Sequence, residues 1–215
     1  MTVLKVALCV LALVPAVTLW RDMERTNPQF IVAYDYDVWT LGIFQTGLWS
    51  FIFLFATLAC TPLQRITGFR WPGELRRTLG LLTFFWFLLH ATMYVVVGQK
   101  LNWNYVWLDA LRSPSRIPGW LALVLLVPLA ITSTNGMVRW LGGKRWKNLH
   151  RLVYLAGALA VLHLAWVDHE RLRGYARMNT VLWPFLVLMA LRLVPVAWRW
   201  QRARRSPDAD PSAAP

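Results

Sequence analysis

LRRTLGLLTFFWFLLHATMYVVVG, residues 75–98, and HRLVYLAGALAVLHLAWV, residues 150–167, decide the fold. Each is a nearly unbroken apolar run with a basic start and one histidine, His90 or His163, far from its ends. At 1.5 Å rise per residue, runs of about 18–24 residues match a hydrocarbon core of about 30 Å. Working outward, the same pattern recurs, giving six apolar segments at about 4–20, 42–61, 78–98, 118–134, 150–167 and 179–197. The expected fold is an all-α membrane protein, a six-helix transmembrane bundle over residues 1–200, with a polar tail over 201–215.

Composition agrees. The 215 residues are 57% hydrophobic and 15% charged, against about 45–50% and about 25% in soluble domains. A net charge of +13 raises the question of nucleic acid, but the basic residues flank apolar runs instead of lining a polar face. Lipid is the expected surroundings and nucleic acid is not. Ten of the 14 tryptophans, among them Trp71, Trp103, Trp107, Trp140 and Trp183, fall near the ends of the runs, where aromatic belts form. Cys9 and Cys60 both lie inside spans, outside any CxxC or CxxCH motif, and read as buried apolar side chains. The first segment lacks a small-residue cleavage site and reads as a retained helix. Pro15, Pro128 and Pro184 fall inside spans and predict kinks.

Arg65, Arg70, Arg76 and Arg77 lie between spans two and three, and Arg139, Lys144, Arg145 and Lys147 between spans four and five. Arg199, Arg202, Arg204 and Arg205 follow span six. The other loops hold most of the acids, including Asp22, Glu24, Asp35, Asp37, Asp109, Asp168 and Glu170. The positive-inside rule then places both termini in the cytoplasm.

Ionisable side chains inside a bilayer are costly, so each histidine within a span is a functional hypothesis. The plain alternative is a histidine hydrogen-bonded to a neighbouring helix. Spans three and five run in the same direction, and His90 and His163 each sit 13 residues beyond the basic start, at Arg77 and His150. Their rings are therefore expected at one depth, about 20 Å from the cytoplasmic edge. Two imidazoles at matching height on facing helices suit the two axial positions of one b-type heme. His150, about 20 Å below His163, marks a position for a second heme near the cytoplasmic face. Its counterpart on span three falls at Arg77 or Arg76. Arginine ligates iron poorly but pairs well with heme propionates, so the inner site is open, asymmetric or absent. His169, beside Asp168 and Glu170, reads as a solvated surface residue.

TSTNGMVRWLGGKRWKNLHRLVYLAGALAVLHLAW (132–166), LRRTLGLLTFFWFLLHATMY (75–94) and ATLACTPLQR (56–65) closely resemble the MsrQ (YedZ) family. These are heme-binding membrane subunits of the protein-methionine-sulfoxide reductase system, within the ferric-reductase-like transmembrane group. The resemblance covers nearly the whole chain. It implies an electron-transfer subunit, not the catalytic one, in the bacterial inner membrane. It also implies respiratory electrons, from quinol, passing to a periplasmic molybdopterin enzyme (MsrP) that repairs oxidised methionines. His90, His150 and His163 match the family's heme-associated histidines, and FMN is implied by the resemblance alone. Relative to four-histidine ferric reductases, the sequence departs at Arg76.

No GxGxxG or P-loop is present, so reductant must come from quinol or from a separate cytosolic flavin donor. Trp146, Asn148 and Arg151 could line a donor site, though anchoring and capping explain them as well. Two other functions stay open: a stand-alone ferric reductase, and a proton or ion transporter using a histidine relay. The relay predicts polar residues between the histidines, where Leu89, Leu162, Leu164 and Ala165 stand instead.

Overall fold

The computed structural model describes residues 2–14, 16–17, 21, 38–171 and 183–191. In chain order the helices are α1 (Thr2–Leu11), α2 (Val38–Thr67), α3 (Trp71–Met93), α4 (Trp103–Arg112) and α5 (Arg116–Ile131). The short α6 (Asn135–Leu141) and α7 (Gly143–Leu149), the long α8 (Leu152–Arg171) and α9 (183–191) follow. Among the described residues there is no strand.

Three helical stretches are long and apolar enough to cross a membrane: Gly42–Thr67, Trp71–Gly98 and Gly143–Val167. They contain the whole of the segments read as spans two, three and five. A fourth crossing is available if α4 and α5, bent by 118° at their junction, count as one broken span. The segments read as spans one and six are described only in part. Residues 22–37, with Asp22, Glu24, Asp35 and Asp37, the tail from 201, and Pro15 lie outside the described residues, as do the side chains of Asp168, His169 and Glu170.

The helices outrun the apolar segments that revealed them. α2 reaches Thr67, past Pro62, and α3 begins at Trp71 with Pro72 in its first turn, where a missing N–H costs nothing. Arg76 and Arg77 therefore lie on α3 itself, both exposed, and not in a loop. The segment 99–117, expected as an outer loop, holds α4. The Asn102 side chain caps it, accepting from the backbone N–H groups of Asn104 (3.1 Å) and Tyr105 (3.3 Å). The segment 135–149, likewise expected as a loop, holds α6 and α7. They pivot on Gly142, whose φ of 75° and ψ of 148° exclude a side chain without strain.

α2 packs against α3 and α5 against α8. Phe51, Leu54, Leu58, Phe87, Ala122, Leu126, Ala156, Ala160 and Val161 form the shared core, joined by Phe185 of α9. A second cluster (Ala12, Phe53, Cys60, Leu75, Leu79 and Trp86) packs along α3 from Leu75 to Trp86. Cys60 is buried there, donating to the Ala56 carbonyl at 3.2 Å, while Cys9 is exposed, contrary to the reading of both as buried. Leu81, Phe85 and Leu88 of α3, Leu121 and Val124 of α5 and Leu155 of α8 point outward, as apolar side chains facing lipid should. Between α2 and α3 the Thr57 and Thr83 hydroxyls meet at 3.4 Å, each also bonded to the carbonyl four residues back.

Candidate functional site

His90 comes from the last turn of α3 and His163 from the C-terminal half of α8. The structure brings their rings together, with centroids 6.3 Å apart and planes inclined by 65°. Each ring is held from behind by a backbone carbonyl. His90 Nδ1 lies 2.8 Å from the Ile43 oxygen, and His163 Nδ1 lies 2.7 Å from the Ser115 oxygen. A carbonyl only accepts, so both Nδ1 atoms carry the proton and the lone pair of each neutral ring sits on Nε2. A carbonyl behind Nδ1 is the usual device for orienting a metal-binding imidazole.

Two glycines make this possible. A Cβ on Gly47 of α2 would stand 3.1 Å from the His90 ring, and one on Gly119 of α5 would stand 3.0 Å from the His163 ring. Backbone approaches the rings where any other residue would push them away. The Thr46 hydroxyl, 3.5 Å from His90 Nδ1, and Phe87, edge-on at 6.3 Å, complete the surroundings of His90.

These residues fit a heme. One ion bridging two imidazoles at about 2 Å each, plus the half-widths of the rings, separates the ring centres by about 6 Å. Among the described residues no cluster of three or more His, Cys, Asp or Glu exists. Two imidazoles alone would leave a bare ion under-coordinated, whereas a porphyrin brings four nitrogens of its own.

The inner position is built differently. His150 caps the end of α7, with Trp146 stacked on it at a centroid distance of 4.0 Å. Its Nε2 lies 3.1 Å from the Thr132 hydroxyl, which itself donates to the Pro128 carbonyl at 2.6 Å. With its proton committed, that hydroxyl accepts, so in this arrangement Nε2 of His150 is the protonated nitrogen. Among the described residues no second histidine meets it. Arg77 donates to Asn135 Oδ1 at 2.5 Å, and Arg76 is exposed. Of the suggested donor-site residues, Trp146 is taken up with His150 and with the Thr132 carbonyl, to which its Nε1 donates at 2.9 Å. Asn148 and Arg151 are exposed.

Sequence reasoning missed the two carbonyls, the two glycines and a polar group beside them made by Tyr94, Asp109 and Arg116. Gly47 and Gly119, inside otherwise bulky runs, were the available signal. The carbonyls leave no mark in a sequence.

The family described as ferric reductase like transmembrane component matches residues 41–161. The chain is 38% identical over 205 residues to the protein-methionine-sulfoxide reductase heme-binding subunit MsrQ of Ralstonia nicotianae, covering 94% of this chain and 88% of that one. The protein of the same name from Rhodospirillum rubrum is 44% identical over 162 residues, 75% of this chain and 76% of the relative. The chain belongs to the MsrQ family. It is thereby a membrane protein with a ferric-reductase-like domain. The domain match includes Gly47, His90, Gly119 and His150 and ends two residues before His163. MsrQ-type sequence is not confined to subunits of that name: the magnetosome protein MamZ of Magnetospirillum gryphiswaldense is 40% identical over 141 residues, 64% of this chain but 22% of MamZ. No solved structure matches the chain.

Proposed function

We propose that this MsrQ-family chain is the heme-binding membrane subunit of a methionine sulfoxide reductase system. In this reading one b-type heme sits between His90 and His163, and the chain carries electrons across the inner membrane to a periplasmic molybdopterin-dependent reductase of the MsrP kind. The donor is quinol or a cytosolic flavin reductase. The observation that carries the proposal is the facing ring pair, 6.3 Å apart, with both Nδ1 atoms bonded to carbonyls. Heme supplies the one-electron couple; the chain's residues hold the rings, orient them and exclude water with Phe87 and the apolar core.

Topology supports the direction of transfer. Arg65, Arg70, Arg76, Arg77, Arg139, Lys144, Arg145 and Lys147 flank the ends of the long helices away from the His90–His163 pair, which by the positive-inside rule supports a pair in the periplasmic half and cytoplasmic termini. Electrons would then leave from the side where oxidised periplasmic proteins are repaired. A histidine relay is disfavoured, because the Nδ1 protons of His90 and His163 point at backbone carbonyls that cannot pass them on.

The test is reconstitution of the purified chain in liposomes with a reduced quinol inside and a purified periplasmic methionine sulfoxide reductase outside. Methionine formation that needs both proteins supports the proposal. Rapid reduction of external ferric chelate with no methionine formed would instead favour a stand-alone ferric reductase.

A further inference from the structure

Behind His163 lies a buried charged group that heme ligation alone does not explain. Arg116, the first residue of α5, is buried, and its Nε pairs with Asp109 Oδ2 at 2.5 Å. The same carboxylate oxygen accepts from the Tyr94 hydroxyl at 2.5 Å. Arg116 Nη1 donates at 3.2 Å to the hydroxyl of Ser115, a fully buried residue whose carbonyl receives the His163 Nδ1 proton. Tyr94 stands four residues after His90, at the start of a wider π-helical turn, Tyr94–Gly98, and packs edge-on against Trp120 at 6.2 Å. One polar chain thus joins both histidine-bearing helices, through α4 and α5, to the ligand carbonyl.

We infer that Asp109 and Arg116 are positioning residues that fix the Ser115 carbonyl on His163 and, as a balanced charge pair, set the reduction potential of the heme between His90 and His163. Holding the buried Arg116 guanidinium against the Asp109 carboxylate, which keeps a quarter of its surface exposed, costs desolvation, and a pair of apolar residues would pack at least as stably. What the pair supplies is a fixed position and a fixed local field. Arg116 is buried and Asp109 only partly exposed, so water screens the pair incompletely and removing one partner leaves the other's charge acting on the site. Heme reduction adds one negative charge. An unbalanced Arg116 therefore favours the reduced form and an unbalanced Asp109 opposes it.

The inference rests on His90 and His163 as heme ligands, and its test separates the two ideas. Purified full-length wild type, D109N, R116Q, D109N/R116Q and the charge-conserving R116K and D109E are titrated between reduced and oxidised heme by their visible spectra. D109N should raise and R116Q lower the reduced-to-oxidised ratio at fixed ambient potential by about ten-fold, with the double variant near wild type. Loss of mere packing would move both single variants the same way or not at all, and either result overturns the inference. Should the neutralising variants lose heme, retention of heme and wild-type potential in R116K and D109E supports it, and heme loss in those as well overturns it. H90A and H163A, prepared alongside, report on the ligands: full heme in both would sink the ligand reading itself.

Discussion

A Cβ added to Gly119 would stand 3.0 Å from Nδ1 of His163 and within 3.2 Å of two further ring atoms. The ring cannot retreat without giving up its 2.7 Å bond to the Ser115 carbonyl four residues earlier on the same strip of chain. α5 therefore holds His163 twice, once by a carbonyl and once by the absence of a side chain.

Gly119→Ala should accordingly displace the ring and cost about 1–3 kcal/mol through overpacking. The expected outcome is loss of most bound heme, read as the ratio of Soret absorbance to protein. Gly143→Ala, where an added Cβ meets nothing within 4 Å, is the control and should keep its heme.

Thr132→Ala removes the acceptor of the His150 Nε2 proton at the inner end. The ring is only half-buried, so losing the bond should cost about 0.5–1.5 kcal/mol, seen as a lower midpoint of thermal unfolding in detergent. Heme per protein should not change, because the heme is assigned to the outer pair. A drop in heme would place a cofactor at His150.

Gly142→Ala tests backbone strain apart from crowding. Nothing lies within 4 Å of an added Cβ, but the φ of 75° is one that side chains rarely adopt. The substitution should destabilise by about 1–3 kcal/mol. Unfolding at the wild-type temperature would show that the α6–α7 pivot relaxes without cost.

Thr57→Val and Thr83→Val should each have a small effect. Both hydroxyls already bond their own helix, so their 3.4 Å contact adds little. A double-mutant cycle should return a coupling of about 0.6 kcal/mol. A coupling several times larger would mean that this contact, and not the apolar core, holds α2 on α3.

How much of this was written in the sequence follows from what burial leaves visible. The long crossings at α2, α3 and α8 were legible because an apolar run of that length has few other uses. Their ends were not. Backbone hydrogen bonding carries α3 back to Trp71 and α2 on to Thr67, through arginines and a proline that hydropathy assigns to loops. The ten residues of α4 were read as loop, since Asn102 and the break at Ser113 and Pro114 bound too short a stretch to show a period. Equal distances from the basic starts of spans three and five put His90 and His163 at one depth on paper. That they face each other, and that His150 instead turns to Thr132, depends on helix rotation, which no spacing within one helix reveals. Asp109 read as an ordinary loop acid, and nothing in the sequence pairs it with Arg116, which the bend between α4 and α5 brings against it.

The central claim is that one heme is held by His90 and His163. Its most direct test is a pyridine-hemochrome count per mole of purified protein for wild type, H90A, H163A and H150A. The account gives one heme in wild type, loss of it in H90A and in H163A, and retention in H150A. Two hemes in wild type, with one lost in H150A, would contradict it.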